Sequence, residues 1–214
     1  MDDPSRIRIV RLDVEDQASI EQAGTEIRDG FDRVDLLLNV AGILGDAKTT
    51  PGPERSLAKM DRKWFEKTLA VNLIGPVMFS KEIFPLVMQS RRRGSTSDDN
   101  NGRPRAVIAS LSARVGSISD NDLGGWYSYR MSKAALNQAT RTMALELKRH
   151  SAWTVALHPG TTDTGLSKPF QGNVKEGSLF PVEFTVTRLL NAIDSLKEEH
   201  SGGLYDWAGQ SIAF

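Results

Sequence analysis

The sequence predicts an α/β protein built on a doubly wound parallel sheet, and three observations lead to that fold class. Strand-like and helix-like segments alternate along the chain, as they do when helices cover both faces of a parallel sheet. Residues 34–40 form a near-continuous apolar run, which is typical of a strand buried on both faces. The chain has 214 residues, 39% of them hydrophobic, which suits one ordinary domain with a sizeable core. We therefore expect a single domain over residues 1–214.

The predicted elements follow one another in a regular order. In chain order they are a strand at 7–13, a helix at 16–28, a strand at 34–40, a helix at 60–90, a strand at 106–111, a helix at 127–150, a strand at 154–158, a helix at 182–197 and a short strand near Leu204. An acidic first turn supports the helix at 16–28. A Gly- and Pro-rich loop separates the strand at 34–40 from the helix that follows it.

The helix at 60–90 is unusually apolar and is interrupted near Gly75-Pro76. It carries apolar side chains on too many sides for a helix that packs on one sheet face only. A second buried contact would explain this pattern. We therefore expect a homo-oligomer that forms through this helix and the helix at 127–150.

Charge and composition exclude several classes of function. The chain has 27 basic and 27 acidic residues, so its balanced charge does not favour nucleic acid or an anionic membrane as a partner. The basic triplet at the start of the polar loop 91–104 is cancelled by Asp98 and Asp99, so we expect a solvated surface loop. The absence of cysteine excludes disulfides. No apolar run approaches the roughly 20 residues of a membrane span, and no secretory signal opens the chain, so we expect a cytoplasmic protein.

Tyr129 and Lys133 are the most informative pair of side chains. They are four residues apart on a predicted helix, so both project from one face with their Cβ atoms roughly 5–6 Å apart. An ammonium beside a phenol favours the tyrosinate and lowers the tyrosine pKa toward the range in which acid–base catalysis is effective. The pair therefore indicates carbonyl and alcohol redox chemistry. Taken alone, a pair at this spacing is more often a chance meeting on a solvated helix face.

Five short motifs occur in an order that resembles one enzyme family. They are Asn39-Val-Ala-Gly-Ile after a predicted strand, Val71-Asn-Leu in the long helix, Ser112 after the next strand, Tyr129-Arg-Met-Ser-Lys133, and Pro159-Gly-Thr-Thr-Asp-Thr after a further strand. In content, order and spacing they resemble the short-chain dehydrogenase/reductase family. The segments 116–121 and 124–137 resemble its C-factor-like, or C-signal-like, subgroup, which also includes carbonyl reductases. The resemblance covers essentially the whole chain.

The resemblance implies a Rossmann-like fold and an NAD(P)-dependent oxidoreductase that reduces carbonyls or oxidises alcohols. It makes Tyr129 the general acid or base, and it makes Lys133 the residue that lowers the tyrosine pKa and binds the nicotinamide ribose. Asn72 is implied to hold a water of the proton relay, and a serine is implied to bind the substrate oxygen. The expected partner is therefore a small carbonyl or alcohol, which the protein orients while the cofactor carries the hydride.

The cofactor that the resemblance implies is NADP or NAD, with a slight preference for NADP. The implied cofactor-binding residues are Asp13, Val14, Asn39, Ala41, Gly42, Tyr129, Lys133, Pro159, Gly160, Thr162 and Thr164. Two of these assignments have simpler alternatives. Asp13 is also suited to a capping or turn role, and the segment 39–42 is also a typical strand end closed by small residues.

Other residues give weaker signals. The loop at 164–180 lies where family members carry a loop that covers the substrate, and its composition suggests mobility. Trp126 either shapes the substrate side of the pocket or is simply buried. His150, His158 and His200 show no metal-ligand spacing, so no metal site is expected. His158 precedes Pro159 and either contacts the crevice or is packed.

The serine departs from the family pattern. Family members carry a Ser-Ser pair whose second serine lies three residues before a glycine, and counting back from Gly116 places Ala113 at that position. Ser112 comes one residue earlier, and neighbouring side chains on a regular strand point to opposite faces. Ser112 can therefore act only if the strand end bulges or turns. We expect Ser112 to take this role, with Ser117 as the substitute; the alternative is that neither does.

The N-terminal region departs further from the pattern. The family begins with a strand, a glycine-rich turn, a helix and a second strand, and no Gly-x-x-x-Gly-x-Gly follows a strand here. The chain thus resembles a family member without its first two strands and first helix, so the edge of the strand at 34–40 is left open. Either the strand at 7–13 covers that edge, or the chain is a truncated gene product.

This departure leaves an alternative function open. The alternative is a truncated, catalytically inactive fragment or pseudoenzyme that acts through protein association or signalling. A non-enzymatic nucleotide-binding module is a weaker third reading, because it would keep the phosphate site and lose the Tyr129/Lys133 pair, which is the reverse of what the sequence shows.

Overall fold

A five-stranded sheet forms the centre of the molecule. The computed structural model describes residues 7–45, 52–89 and 106–214. The strands are β1 (Leu36–Asn39), β2 (Ala106–Leu111), β3 (Ala152–His158), β4 (Thr161–Thr162), β5 (Leu179–Phe180), β6 (Leu204–Asp206) and β7 (Ser211–Ile212). The large sheet has the order β1-β2-β3-β6-β7, in which the first four strands are parallel and β7 is antiparallel to β6. The short strands β4 and β5 pair in parallel beside it.

Five α-helices are described. They are α1 (Gln17–Gly30), α2 (Arg62–Leu69), α3 (Gly75–Gln89), α4 (Tyr127–Leu147) and α5 (Val182–Asp194). The first two helices are each preceded by an aspartate whose carboxylate accepts a backbone hydrogen bond. Asp16 accepts from Ala18 N at 3.0 Å, and Asp61 accepts from Trp64 N at 2.8 Å. These side chains satisfy N–H groups that a helix cannot pair internally, which explains where α1 and α2 start.

The core lies on both faces of the sheet, as the sequence pattern predicts. On one face, α3 and α4 pack against the strands through residues that include Ile83, Ile108 and Leu147. On the other face, α5 packs through Leu189 and Ile193. Successive residues of β2 alternate between the two clusters because strand side chains point alternately to opposite faces. The α/β Rossmann-like fold class is confirmed.

The predicted strand at 7–13 is wrong. These residues pair with no strand, and the side chains of Ile7 and Ile9 are 69% and 91% exposed. Within the described ranges, β1 pairs with β2 alone, so residues 7–13 do not cover the outer edge of β1. An extended segment becomes a strand only when a neighbour satisfies its backbone groups, and residues 7–13 have no such neighbour in the described part of the chain. Arg8 instead forms a 3.0 Å ion pair with Glu26 of α1.

The remaining differences are shifts of element ends. The long helix predicted at 60–90 is present as α2 and α3, and the interruption falls one turn before Gly75, in a π-helical turn at Ala70–Ile74. The helix α4 ends at Leu147 and continues as a 3₁₀ turn to His150, while α5 ends at Asp194. The predicted polar loop 91–104 lies outside the described residues.

The stretch Arg62–Gln89 is long and apolar enough to cross a membrane, which goes beyond the sequence-based expectation. A core helix meets the same criterion of length and composition. In this fold Ile83, Leu86 and Val87 are 1 to 2% exposed and pack in the core, so the stretch serves as a core helix here. The expected oligomer contact through this stretch and α4 stays a prediction.

Two leucines near the end of α4 give a matched test of the core. Leu147 is 0% exposed, whereas Leu145 is 65% exposed. We expect Leu147→Ala to lower the free energy of unfolding by about 2–5 kcal/mol, because it removes buried methyl groups and leaves a cavity. We expect Leu145→Ala to change it by about 0.5 kcal/mol or less. Urea denaturation measures both values, and equal losses would contradict this packing of α4.

Candidate active site

A cavity of about 1170 Å³ opens beyond the carboxyl ends of β2 and β3. It is lined by five segments: 52–55 in the loop after β1, 112–115 after β2, 123–126 with Tyr129 at the start of α4, 158–162 at the end of β3, and part of 164–174. Ligands of open parallel sheets bind at the carboxyl ends of the strands. The position and size of this cavity make it the candidate site.

Tyr129 and Lys133 meet as their spacing on α4 predicts. Lys133 Nζ lies 5.7 Å from the centre of the Tyr129 ring. The same nitrogen donates a 2.7 Å hydrogen bond to Leu111 O at the end of β2, and Lys133 is 3% exposed. The tyrosine lines the cavity, whereas the lysine lies behind it in the wall. The helix therefore presents the phenol to a ligand and anchors the ammonium to the sheet.

The pKa values differ from the sequence-based expectation. Burial raises the pKa of Tyr129 to about 12, and it lowers the pKa of Lys133 to about 8. The expected lowering of the tyrosine pKa by the ammonium is therefore wrong for the protein without ligand. Loss of hydration disfavours the charged form of each group, and this is the cause of both shifts.

Asn72 lies in the π-helical turn and is 0% exposed. Its Oδ1 accepts from Ile43 N at 2.8 Å, and its Nδ2 donates to Ile43 O at 2.9 Å and to Ser132 Oγ at 3.2 Å. Ser132 in turn donates to Tyr129 O at 2.8 Å. A Cβ on Gly42 would lie 3.4 Å from Asn72 Oδ1 and 3.7 Å from Lys133 Nζ. The structure thus brings Gly42, Asn72 and Lys133 together, and only a lone pair of Oδ1 is left for the expected water.

The end of β2 has no bulge at Ser112, although the role expected for this serine required a bulge or a turn there. Ser112 N donates to Leu157 O at 2.8 Å, so the ladder with β3 continues through Ser112 without a bulge. Ser112 is 3% exposed, and its hydroxyl donates to Asn137 Oδ1 of α4 at 2.6 Å. The substitute, Ser117, accepts from Asp120 N at 3.1 Å within a local turn and does not line the cavity. Ser112 and Ala113 both line the cavity, and Ala113 holds the position that the family gives to serine.

Besides Tyr129, four of the predicted cofactor residues line the cavity. They are Pro159, Gly160, Thr162 and Thr164. Gly160 has a φ of +73°, and a Cβ there would lie 2.7 Å from the Phe180 ring, so both backbone shape and space require glycine. Thr162 Oγ1 is hydrogen-bonded to Thr185 Oγ1 at 3.0 Å, which ties this loop to α5.

The other predicted cofactor residues lie away from the cavity lining. Asn39 Nδ2 donates to Ser80 Oγ at 3.0 Å and to Ser110 Oγ at 3.2 Å, so it joins β1 to α3 and β2. Asp13 Oδ1 accepts from Glu15 N at 3.0 Å, which is the turn role given above as its alternative. Val14 packs against Gly75, where a Cβ would lie 2.7 Å away, and Ala41 is exposed in the loop after β1.

Glu54 is a site residue that sequence reasoning missed. Its side chain lines the cavity and is 5% exposed as a residue. The carboxylate accepts from Ser128 N at 3.2 Å and from the Ser128 hydroxyl, while its backbone oxygen accepts from Trp126 N. The sequence held one signal for this contact: α4 starts after Trp126, which has no capping side chain, so another group must satisfy the first N–H groups.

His158 lines the cavity, which is the first of the two alternatives given for it above. Its Nδ1 is buried without a hydrogen-bond partner. Burial, together with the smaller effect of the Arg114 charge, lowers the pKa of His158 to about 4 against the opposing charge of Asp206. The imidazole is therefore neutral at pH 7.

Known proteins are similar to this chain in sequence. The family model of the short chain dehydrogenases matches residues 2–175. The C-signal protein of Myxococcus xanthus is 32% identical over 179 residues, which are 84% of this chain and 92% of that protein. The 1-hydroxy-2-glutathionyl-2-methyl-3-butene dehydrogenase of a Rhodococcus strain is 29% identical over 89% of this chain and 73% of its own length.

Solved structures agree with the fold. The NADPH-bound carbonyl reductase from chicken fatty liver superposes with a TM-score of 0.80 at 29% identity, covering 97% of this chain and 77% of that one. The carbonyl reductase Sniffer of D. melanogaster superposes with a TM-score of 0.83 at 25% identity, covering 98% of this chain and 79% of that one.

The buried ammonium of Lys133 predicts a pH effect. Its pKa is about 8 in the folded protein, while a lysine in an unfolded chain titrates near 10.4. Between these values the unfolded chain binds more protons, so the contribution of Lys133 to stability rises with pH from about 8 to about 10. We expect the stability difference between the wild type and Lys133→Met to shift in favour of the wild type over this range.

Two measurements check this prediction. Urea denaturation of both proteins gives the pH dependence, and NMR of ¹³C-labelled lysine gives the titration of Lys133 Cε directly, with the variant supplying the assignment. A midpoint near 10 or above for Lys133 would contradict the burial of its ammonium.

Replacing Glu54 tests the start of α4. Glu54→Gln keeps the size of the side chain but removes the charge and one acceptor. We expect it to lower the free energy of unfolding by about 1–3 kcal/mol, because it weakens hydrogen bonds to a charged group. Glu66→Gln is the control, since Glu66 forms an exposed pair with Arg62 on α2. Equal urea midpoints for the two variants would show that the Glu54 contacts do not stabilise α4.

Proposed function

This chain belongs to the short chain dehydrogenase family, and from that premise we propose that it is an NAD(P)-dependent oxidoreductase that reduces a carbonyl to an alcohol. The proposal is carried by the position of Tyr129, which lines the cavity, with Lys133 Nζ 5.7 Å from its ring. Asn72 is hydrogen-bonded to Ser132 of the same helix. We further expect a small-molecule carbonyl substrate, a homo-oligomeric state and a cytoplasmic location.

The residues at the cavity fit a nicotinamide cofactor. At Gly42 a Cβ would lie 3.4 Å from Asn72 Oδ1 and 3.7 Å from Lys133 Nζ, so glycine keeps the space beside these two polar groups free. Pro159, Gly160, Thr162 and Thr164 would hold the nicotinamide end, and Lys133 would bind its ribose. We propose NADP as the preferred cofactor, with NAD as the alternative. When bound, the cofactor supplies a hydride to the carbonyl carbon of the substrate.

The pKa of Tyr129 favours the direction of reduction. With a pKa of about 12, the phenol is protonated at pH 7 and can donate its proton to the carbonyl oxygen as the C–H bond forms. Alcohol oxidation would need the phenolate, which burial disfavours. Lys133, with a pKa of about 8, is mostly protonated at pH 7 and stabilises the tyrosinate that remains after reduction.

The cavity lining favours an apolar substrate body. Leu123, Trp126, Leu166, Phe170 and Val174 line it, and the Trp126 and Phe170 rings lie 5.3 Å apart. Phe170 belongs to the 3₁₀ turn Lys168–Asn173, in the segment expected to cover the substrate. The apolar part of a substrate binds to such a lining because its transfer out of water is favourable. An aryl or alkyl ketone or aldehyde is therefore the substrate class that we propose.

Cofactor titration tests the first half of the proposal. Isothermal titration calorimetry of the 214-residue chain with NADPH and with NADH should show binding of at least one of them. Absence of binding up to millimolar cofactor would show that this polypeptide alone is not a working dehydrogenase.

Tyr129→Phe tests the second half. It removes the proton donor, so we expect the rate of acetophenone reduction with NADPH to fall by about 10²–10⁴ with little change in cofactor affinity. Tyr127→Phe is the matched control, because Tyr127 lies two residues away and does not line the cavity. A Tyr129→Phe variant that keeps full activity would refute the role given to Tyr129.

A further inference from the structure

His158 is a half-buried side chain in the cavity wall, and it has no hydrogen-bond partner among the described residues. Its Nδ1 is buried and unpartnered. Its Nε2 is not among the buried unpartnered atoms and makes no hydrogen bond to the residues of 7–45, 52–89 or 106–214. Unpaired polar atoms of this kind are uncommon in native proteins and need an explanation. Nδ1 cannot be reached from the cavity, so a ligand there can only pair with the accessible Nε2 of His158, which lines the cavity.

The protonation of the ring follows from its surroundings. A neutral imidazole carries one proton, on either Nδ1 or Nε2. Nδ1 is buried and faces no acceptor, so a proton there would be unsatisfied. Nε2 remains the nitrogen whose N–H can be satisfied from the cavity. Because Arg114 and burial keep the ring uncharged at pH 7, His158 presents an uncharged N–H donor.

His158 lies beside the strand end at which the family carries its serine. Leu157 pairs in register with Leu111, and Ser112 N donates to Leu157 O, so His158 follows on the strand next to Ser112. Ala113, Tyr129 and His158 all line the same cavity. The Ser112 hydroxyl is held by Asn137 at 2.6 Å. The donor that Ala113 lacks can therefore come from the neighbouring strand.

We propose that the Nε2–H of His158 donates a hydrogen bond to the carbonyl oxygen of the substrate, in place of the serine hydroxyl. The proposal rests on the reductase function proposed above. During reduction the oxygen gains negative charge, Tyr129 gives it a proton, and His158 keeps its own proton while stabilising that charge. His158 is then a catalytic residue, since it contacts the reacting oxygen.

A different carbonyl oxygen could accept the hydrogen bond from the Nε2–H of His158. The carboxamide of a nicotinamide cofactor has the same chemistry, and Pro159 and Gly160 follow His158 directly. The two sources predict different kinetics. A contact to the substrate oxygen affects catalysis of the substrate, whereas a contact to the carboxamide affects cofactor affinity.

Three variants separate these outcomes. His158→Leu removes the donor, and His158→Gln places an amide N–H near the position of Nε2. His150→Leu is the control, because His150 lies in the exposed turn after α4 and does not line the cavity. We expect His158→Leu to lower kcat/KM for acetophenone by about 10²–10³ with unchanged NADPH affinity. We expect His158→Gln to recover most of this loss and His150→Leu to match the wild type.

Two results would overturn the assignment. One is wild-type kcat/KM in His158→Leu. The other is a loss that resides only in NADPH affinity, which would place the contact on the carboxamide instead.

A second arm needs no turnover and separates this inference from the proposed function. In cofactor-free protein, long-range ¹H–¹⁵N NMR follows the Nε2 signal of His158, which is assigned by its absence in His158→Gln. We expect acetophenone to shift that signal and ethylbenzene, which lacks the carbonyl oxygen, to leave it in place. No shift with acetophenone, or the same shift with both, would overturn the inference. A shift in a chain that binds neither NADPH nor NADH would support His158 while refuting the reductase.

Discussion

The geometry of the site depends on one buried contact, the hydrogen bond from Lys133 Nζ to Leu111 O. It ties the first turns of α4 to the end of β2, which is where a parallel sheet presents ligands. Gly116 makes the contact possible, because a Cβ there would lie 2.8 Å from the backbone carbon of Lys133. A buried cation is costly unless its hydrogen bonds are satisfied, so α4 has little freedom to move away from this position.

The neighbouring contacts extend this anchor around the cavity. Asn72 joins the π-helical turn to the loop after β1 and to Ser132 of α4, and Glu54 holds the first turn of α4 through Ser128. Tyr129 therefore sits on a helix that is fixed at its start, on its flank and at its lysine. Preorganised groups of this kind act on a reacting oxygen without rearrangement during the reaction, which is the main physical advantage of a protein site.

Several expectations held because they depend on local pattern. The alternating residues of β2 placed its side chains on both faces, and the four-residue spacing placed Tyr129 and Lys133 on one face of α4. Others failed because they depend on neighbours that local pattern does not contain. Residues 7–13 had the composition of a strand but no strand beside them, and the tyrosine pKa rose because burial outweighed the ammonium. Ser112 continues the regular ladder with Leu157 of β3, and its hydroxyl donates to Asn137 Oδ1 of α4.

The sequence by itself determined the fold class, the family and the identity of the Tyr129/Lys133 pair, because periodicity and short motifs are properties of neighbouring residues. Tertiary structure alone decided which groups share the cavity. Glu54 and His158 have no motif, and they reach the site only through the packing of the loop after β1 on α4 and the pairing of β3 with β2. Burial is likewise a property of the whole fold. It left the phenol protonated and the imidazole neutral, and these states set the chemistry that the site can perform.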